Sequence, residues 1–375
     1  MTTYSYPYNT DPTFGCEIEQ FGASKALCNR AVVEVLTEHG YIVTDDNVRH
    51  RGVNMQGGDG WEHDSGVAFT TPFDNGAADG EPGSGVRIWT IKSDGSIRPD
   101  YDQQARRRGG LVPDTYERWE VVSPPMKFSE IGVCQAILRR LNKYGARVNK
   151  SCGLHIHIDA RQMSDQGLIN MVKLAYKFDP ILIKGLGVTE SRLACYAEPV
   201  RKSFRDAAVM HWNKTKRSPQ RRNVLNGEHR KLRYTLAWLQ ENEYSRGRPG
   251  DGNGRYRTVN FISLIKYGTV EFRLFDATMH AGRLKTAIQT VYGFASWANR
   301  VSNIRGPRKV VRAGRGRFDM RANFCIHAGM MGPELKTARK FLCENMEGTY
   351  DGRVSQRDDV GESVDNAYTR RAANR

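Results

Sequence analysis

The stretch Phe14–Gln20, with the sequence FGCEIEQ, places two carboxylates in a short run that is otherwise suited to a β-strand. Residues i and i+2 of a strand share a face, so Glu17 and Glu19 should lie roughly 7 Å apart on one side, with Cys16 and Ile18 on the other. Two carboxylates on one face repel each other unless water or a cation separates them. The pair therefore predicts either a solvated sheet face or a cation-binding face.

The composition is that of a chain that can bury a sizeable core. It has 375 residues, of which 39% are hydrophobic. No apolar run approaches the roughly 20 residues of a membrane helix, and the N-terminal sequence MTTYSYPYNTDPT lacks the basic and apolar regions of a signal peptide. These features predict a cytoplasmic protein with no membrane partner. The seven cysteines are an odd number without a CxxC pair, which argues against a disulfide framework and a zinc ribbon.

The net charge of +16 indicates an anionic partner. A nucleotide, an acidic peptide, a nucleic acid and a multi-protein assembly all fit this charge. Many of the Lys and Arg residues fall within 201–257, inside a basic segment from Asp165 to Arg257 that is predicted to be mainly helical. No nucleic-acid-binding motif accompanies the charge, so a solvated helical surface is the simpler interpretation and a nucleic-acid interface is the alternative.

Two further strand-like runs carry polar residues among apolar ones. Glu120 lies within Tyr116–Val122, a run of aromatic and β-branched residues followed by two prolines. His155 and His157 alternate with apolar residues along Gly153–Asp159, so both imidazoles should share one face. Two histidines at this spacing are consistent with structural residues or with ligands of a metal or a phosphate.

A predicted β-hairpin, Arg257–Asp276, supplies the last polar strand. The pattern indicates a strand, a turn at Tyr267-Gly268 and a second strand. On the second strand, Glu271 and Arg273 should share a face whose opposite side is apolar.

The remaining segments predict helices, loops and a tail. Apolar periodicity indicates helices over Ser24–His39, Ser129–Tyr144 with Ser129 as the N-cap, Gly282–Ala298 and about 333–346. Glycine-rich or basic stretches at 51–85, 106–108, 247–254 and 306–316 indicate loops, of which 51–81 could also form a small hairpin. The segment 351–375 has few large apolar residues and is predicted to be disordered.

Taken together, the four strands offer four carboxylates, two imidazoles and a guanidinium. Each strand alone has a simple explanation, because a sheet commonly packs one face and exposes the other. On one common face, however, these groups predict a magnesium and phosphate site. Carboxylates hold hard cations, the cations bridge phosphate oxygens, and an arginine neutralises charge that develops during transfer.

The motifs FGCEIEQ, IKSDGSI, WEVVSPPM, SCGLHIHID and YGTVEFRLFDAT resemble, in order and character, those of the amidoligases, relatives of glutamine synthetase and glutamate-cysteine ligase. The resemblance covers about residues 14–300. It implies an α+β fold with a curved, mainly antiparallel sheet and helices on its outer face. The implied organisation is a single catalytic domain over 1–350, with 161–257 as a helical basic subdomain inside it.

The resemblance also implies roles for individual residues. The implied metal ligands are Glu17, Glu19, Glu120, His155 and Glu271. Arg273 would contact the γ-phosphate of ATP and act in catalysis, and His155 would lie on the metal or phosphate side of the cofactor. His157, implied as a catalytic residue, and Asp94 match the family pattern less closely. The implied cofactors are ATP and Mg²⁺, with Mn²⁺ as an alternative to Mg²⁺.

The implied activity is ATP-dependent formation of an amide from a carboxylate and an amine or ammonia, through an acyl phosphate. The basic segment would suit an acidic peptide or another anionic macromolecule as substrate. Two other interpretations compete with this one. One is a catalytically inactive, ligase-like scaffold that binds a nucleic acid or an assembly, and the other is a zinc hydrolase that uses Cys152, His155 and His157, whose spacing is not a usual zinc signature.

Overall fold

The computed structural model describes residues 12–49, 65–70, 86–99, 117–215, 228–245, 254–304, 328–330 and 332–347. Its strands are β1 (Phe14–Phe21), β2 (Ile42–Arg49), β3 (Ser65–Thr70), β4 (Arg87–Ser93), β5 (Arg118–Val122), β6 (Gly153–Asp159), β7 (Val259–Asn260) and β8 (Thr269–Asp276). The predicted loops at 106–108 and 306–316 and the predicted disordered tail lie outside the described residues, as does most of 51–85 and of 247–254.

The described helices follow in chain order. They are α1 (Lys25–Glu38), α2 (Ile131–Lys143), α3 (Asp165–Leu186), α4 (Glu190–Cys195), α5 (Lys202–Thr215), α6 (Glu228–Ser245), α7 (Ser263–Lys266), α8 (Ala281–Arg300) and α9 (Lys336–Glu347). Short 3₁₀ turns at Phe128–Glu130 and Pro333–Leu335 precede α2 and α9. None of the described helices is both long enough and apolar enough to span a membrane.

The strands form one eight-stranded sheet in the order β2-β3-β4-β5-β1-β6-β8-β7. Antiparallel pairing joins β2 to β3, β3 to β4, β4 to β5 and β5 to β1, and it also joins β7 to β8. The prediction of an α+β fold with a mainly antiparallel sheet is confirmed.

The chain divides into two compact units. The first unit comprises the described residues of Thr13–Ile156 and Phe275–Ile288. The second comprises Pro12 and the described residues of His157–Leu274 and Gln289–Arg375. The boundary between Ile156 and His157 falls within β6. The single domain over 1–350 and its helical subdomain stay predictions.

In the first unit, β1 and α1 form as their patterns predict. The Ser24 side chain caps α1 by accepting a hydrogen bond from the Leu27 N–H at 3.3 Å. The apolar face of this helix is buried, and it consists of Cys28, Ala31, Val32, Val35 and Leu36. Between the two elements, Gly22 has a φ of 95°, and a Cβ there would lie 2.8 Å from the Gly145 carbonyl oxygen. Glycine is therefore required at this turn.

The predicted start of α2 at Ser129 is wrong. Ser129 lies inside the 3₁₀ turn Phe128–Glu130, and the α-helix begins at Ile131. The reason is the Glu130 carboxylate, which accepts a hydrogen bond from the Lys127 backbone N–H at 2.7 Å and stabilises a tight turn before the helix.

In the second unit, α3 to α6 are consistent with the predicted helical character of 165–257. The longest of them, α3, is capped by Ser164, which accepts a hydrogen bond from the Gly167 N–H at 3.0 Å. It ends at Gly187, whose φ of 65° suits a helix terminus.

The predicted hairpin over Arg257–Asp276 is only partly correct. Its second strand is β8, but its first strand, β7, has only two residues and is followed by the short helix α7. The Asn260 side chain accepts a hydrogen bond from the Ile262 N–H at 2.9 Å, and the Ser263 hydroxyl donates to the Asn260 carbonyl at 3.1 Å. These local bonds turn the backbone away from the ladder and end the strand.

The cysteines whose environment is described are free thiols. Cys16, Cys28, Cys134 and Cys152 are buried and Cys195 is exposed. Four of these five cysteines therefore act as small buried hydrophobic residues.

Candidate functional site

The register of the sheet gathers three carboxylates in the first unit. Glu19 of β1 lies directly opposite Glu120 of β5, and Glu17 lies opposite Val122 two positions away. Directly paired residues of antiparallel strands share a face, as do residues two apart on one strand. The carboxylates of Glu17, Glu19 and Glu120 therefore project from the same face.

The imidazole of His155 lies between two of these carboxylates. Its Nδ1 is 2.9 Å from Glu17 Oε2, and its Nε2 is 3.4 Å from Glu19 Oε1. The residue is only 2% exposed. Carboxylate contacts of this kind fix the orientation of a histidine ring, which is common where a histidine binds a metal.

A cation could bind between Glu17, Glu120 and His155. Each of these residues offers one ligand atom, and the three atoms all lie within 4.8 Å of one another. Carboxylate oxygens with one imidazole nitrogen form a hard ligand set that fits Mg²⁺ or Mn²⁺.

Electrostatics within the group favours binding of a positive charge. Burial raises the pKa of the Glu120 carboxyl well above its ordinary value, and the nearby charge of Glu17 raises it further. The positive charge of Lys92 acts in the opposite direction. A divalent cation beside these carboxylates would offset both effects and favour the ionised form of Glu120.

Glu19 has a second bonding partner in the first unit. Its Oε2 accepts a hydrogen bond from the Gly153 backbone N–H at 2.5 Å, at the start of β6. This bond ties β1 to β6 beside His155, which gives Glu19 a structural role. Its role as a metal ligand stays a prediction.

In the second unit, Glu271 and Arg273 form a buried polar pair on β8. Arg273 Nη1 donates to Glu271 Oε1 at 2.6 Å, and Asn260 Nδ2 of β7 donates to Glu271 Oε2 at 2.6 Å. Glu271 is 5% exposed. Both carboxylate oxygens are therefore held in fixed positions, as a preorganised ligand requires.

The backbone of Arg273 is held from both sides. Its N–H donates to the Thr258 carbonyl at 2.9 Å, and its carbonyl accepts bonds from Arg192 Nε and Nη2 at 3.1 and 3.0 Å. The guanidinium of Arg273 stacks over the Tyr256 ring, 5.4 Å from its centroid. These contacts position the side chain that the family resemblance assigns to the γ-phosphate.

His157 and Asp94 have local partners. His157 Nδ1 lies 2.9 Å from the Thr269 hydroxyl, and its ring meets the Tyr267 ring edge-on with centroids 6.0 Å apart. Asp94 Oδ1 accepts a hydrogen bond from the Ser96 N–H at 2.7 Å, which closes the turn after β4. The catalytic role of His157 stays a prediction.

The environment of Cys152 argues against the zinc-hydrolase interpretation. Cys152 packs with Phe21 and Ile97 in a hydrophobic cluster. Burial raises the pKa of its thiol to about 11, so it is neutral near pH 7. A cysteine binds zinc as a thiolate, and the apolar surroundings of Cys152 disfavour that ionised form.

Four residues around these groups were not predicted from the sequence, namely Lys92, Arg192, Asn260 and Thr269. Lys92 stands in the motif IKSDGSI, two residues before Asp94. Its alternation with the buried Ile91 could have pointed to a polar face, but not to Glu120 as its neighbour. Arg192 bonds a residue 81 positions away, which no local pattern signals.

Comparison with known proteins agrees with the family that the sequence motifs resemble. No curated protein matches the chain. The model of the family described as "Putative amidoligase enzyme" matches residues 10–295, which include all the predicted site residues. The match covers well over half of the chain, and the protein therefore belongs to this amidoligase family.

Proposed function

We propose that the protein is an ATP-dependent carbon–nitrogen ligase that joins a carboxylate to an amine or to ammonia. The observation that carries the proposal is the group of Glu17, Glu120 and His155, whose ligand atoms lie within 4.8 Å of one another in a member of the amidoligase family. Such a ligand set suits Mg²⁺ or Mn²⁺, the cations with which enzymes commonly bind ATP phosphates.

In this proposal, residues of the first unit hold the cation. Glu17, Glu120 and His155 are its ligands, and Glu19 is a further one that also orients His155. When bound, the cation supplies positive charge for the phosphate oxygens of ATP.

Residues of the second unit take the roles implied by the family resemblance. Glu271 is a further metal ligand, held by its bonds to Asn260 and Arg273. Arg273 contacts the γ-phosphate, and its fixed backbone limits the entropy lost when it binds. His157 is a catalytic residue whose ring orientation the Thr269 hydroxyl maintains.

The proposed reaction has two steps. The substrate carboxylate attacks the γ-phosphorus of ATP, the bond to the bridging oxygen breaks, and ADP leaves. The amine then attacks the carbonyl carbon of the acyl phosphate and loses a proton. The bond from that carbon to the phosphate oxygen breaks, so that an amide forms and inorganic phosphate leaves with the carboxylate oxygen. The net charge of +16 would suit an anionic substrate such as an acidic peptide, and a supply of ATP would suit a cytoplasmic location.

The test is release of ADP in the presence of Mg²⁺, with panels of amino acids and acidic peptides as acids and of amines and ammonium as acceptors. We expect Glu17→Gln to lower the rate at least about 100-fold, because it removes a charged metal ligand without changing side-chain volume. The matched control is Glu38→Gln on α1, which changes an exposed glutamate in the same unit and should leave the rate unchanged.

Two results would contradict the proposal. Full ADP release by Glu17→Gln would show that this residue is not part of the reaction. Absence of Mg-ATP binding by the wild type, together with salt-sensitive binding of DNA or RNA, would favour the binding-only scaffold.

A further inference from the structure

A lysine lies in the same cross-strand row as two of the three carboxylates of the first unit, Glu120 and Glu19. Lys92 of β4 is directly opposite Glu120 of β5, and Glu120 is directly opposite Glu19 of β1. Neighbouring strands lie about 4.8 Å apart, and directly paired side chains share a face. The row therefore places the ammonium of Lys92 on the face that carries the candidate metal ligands.

The lysine and the carboxylates are within electrostatic reach of each other. The Lys92 ammonium and the Glu120 carboxylate, which are directly paired across β4 and β5, attract each other electrostatically. Lys92 is half-buried, so solvent screens its charge less than that of a surface lysine. Its position next to a metal ligand is unfavourable for metal binding itself, because two cations repel each other.

The charge balance of this sheet face, which carries Lys92 and the carboxylates of Glu17, Glu19 and Glu120, indicates what the lysine could do. When Glu17, Glu19 and Glu120 are ionised, their charge exceeds that of one divalent cation by one negative charge. A phosphate would be repelled by that excess. Lys92 cancels this excess charge, so this face together with a divalent cation can accept an anion.

We propose that Lys92 is a nucleotide contact, whose ammonium binds a phosphate oxygen of metal-bound ATP on the β4 side of the cluster. This inference rests on the proposed function and adds a residue to it. A lysine ammonium binds phosphate as a compact point charge and can donate several hydrogen bonds.

The test is calorimetric titration of Mg-ATP and Mg-ADP into the wild type, Lys92→Met, Lys92→Arg and the control Lys143→Met. Lys143 is exposed at the end of α2 and undergoes the same loss of charge. We expect Lys92→Met to weaken Mg-ATP binding at least about tenfold, Lys92→Arg to retain most of the affinity, and Lys143→Met to match the wild type. A loss of affinity for Mg-ATP alone would place Lys92 at the terminal phosphate. A loss of affinity for both nucleotides would place it at an inner phosphate.

A second measurement separates phosphate binding from structural support. In a titration with Mn²⁺ alone, followed by electron paramagnetic resonance, Lys92→Met should bind the ion at least as tightly as the wild type, since a repelling charge is gone. Thermal unfolding checks that each variant is folded. If Lys92→Met does not fold, Lys92→Gln replaces it.

Several outcomes would overturn the inference. Equal Mg-ATP affinity in Lys92→Met and the wild type would show that Lys92 only pairs with Glu120. Weaker Mn²⁺ binding in Lys92→Met would show that it supports the arrangement of the carboxylates. If the wild type binds no Mg-ATP, the proposed function fails and this inference fails with it, whereas the first two outcomes leave the proposed function intact.

Discussion

Glu17 and Glu19 have different partners although they share one strand face. Glu17 contacts His155 Nδ1 and belongs to the three-residue candidate metal group, whereas Glu19 accepts a backbone hydrogen bond from Gly153. The difference arises because β6 begins at Gly153, which places a backbone donor beside Glu19. Two identical side chains therefore need not contribute equally to a metal site.

Glu120 should limit the stability of the metal-free protein. Burial and the charge of Glu17 raise its pKa, so its ionised form is unfavourable in the folded state. We expect Glu120→Gln to raise the free energy of unfolding of the metal-free protein by about 1 kcal/mol at pH 7. The same variant should lose most of the stabilisation that Mn²⁺ gives to the wild type.

Urea unfolding with and without Mn²⁺ measures both effects, and Glu38→Gln is the surface control. The proposed metal role of Glu120 would be wrong if Mn²⁺ stabilised Glu120→Gln as strongly as the wild type.

Asp179 should make stability depend on pH. It is buried in the second unit, where the Thr258 hydroxyl and the Val200 N–H donate to its Oδ2 at 2.6 and 2.8 Å. Burial raises its pKa from 3.8 to about 7. The folded state therefore holds a proton that the unfolded chain has released between these pH values, and this group lowers the free energy of unfolding as the pH rises from about 4 to 7.

Asp179→Asn removes this titration while keeping the acceptor oxygen. We expect its stability, relative to the wild type, to increase from pH 4 to pH 8 by up to a few kcal/mol. Urea unfolding at both pH values measures the change, with the exposed Asp206→Asn as the control. A constant difference between Asp179→Asn and the wild type at the two pH values would refute the shifted pKa.

At the level of elements, the turns that end β1 and α1 differ in how strictly they need glycine. Gly22 and Gly40 both have positive φ, 95° and 79°. A Cβ at Gly22 would lie 2.8 Å from the Gly145 carbonyl oxygen, whereas a Cβ at Gly40 would meet nothing within 4 Å among the described atoms. A side chain at Gly40 would therefore introduce backbone strain alone, whereas a side chain at Gly22 would introduce strain and a steric clash.

We expect Gly40→Ala to cost about 1 kcal/mol and Gly22→Ala roughly 2 to 4 kcal/mol, because the second variant adds a clash to the strain. Thermal or urea unfolding of both variants gives the two values. Equal costs would mean that the loop around Gly145 moves aside without a penalty.

Pairing between elements also determines the surroundings of Arg273. The short helix α4 supplies Arg192, whose guanidinium holds the Arg273 carbonyl, while the segment before β7 holds its N–H through Thr258. In the predicted long hairpin, these hydrogen bonds to the Arg273 backbone would have come from the regular ladder between its two strands. Instead Asn260 ends β7 after two residues, and its amide bonds Glu271.

At the level of the whole molecule, the net charge of the chain is positive, whereas the charge of the site carboxylates is negative. The net charge of +16 and the isoelectric point of about 9.6 belong to the chain as a whole, whereas the candidate metal group is acidic. Overall charge attracts anionic substrates from a distance, and local carboxylates select a cation at short range. The basic composition is therefore compatible with a metal-dependent ligase.

The sequence alone determined which side chains share a strand face. Alternation in FGCEIEQ and GLHIHID placed Glu17 with Glu19 and His155 with His157, because the pleat of a strand depends only on the local backbone. Apolar periodicity likewise predicted a helix over Ser24–His39, which forms as α1, and the ordered motifs indicated the amidoligase family.

Only the tertiary structure decided which strands are neighbours and in what register. It placed Glu120 between Glu19 and Lys92, and it brought Arg192 to the Arg273 carbonyl. Register depends on how apolar faces pack across the sheet and on long-range hydrogen bonds, which a local pattern does not encode. For that reason the sequence predicted the carboxylates of the metal group, whereas the lysine beside them emerged from the fold.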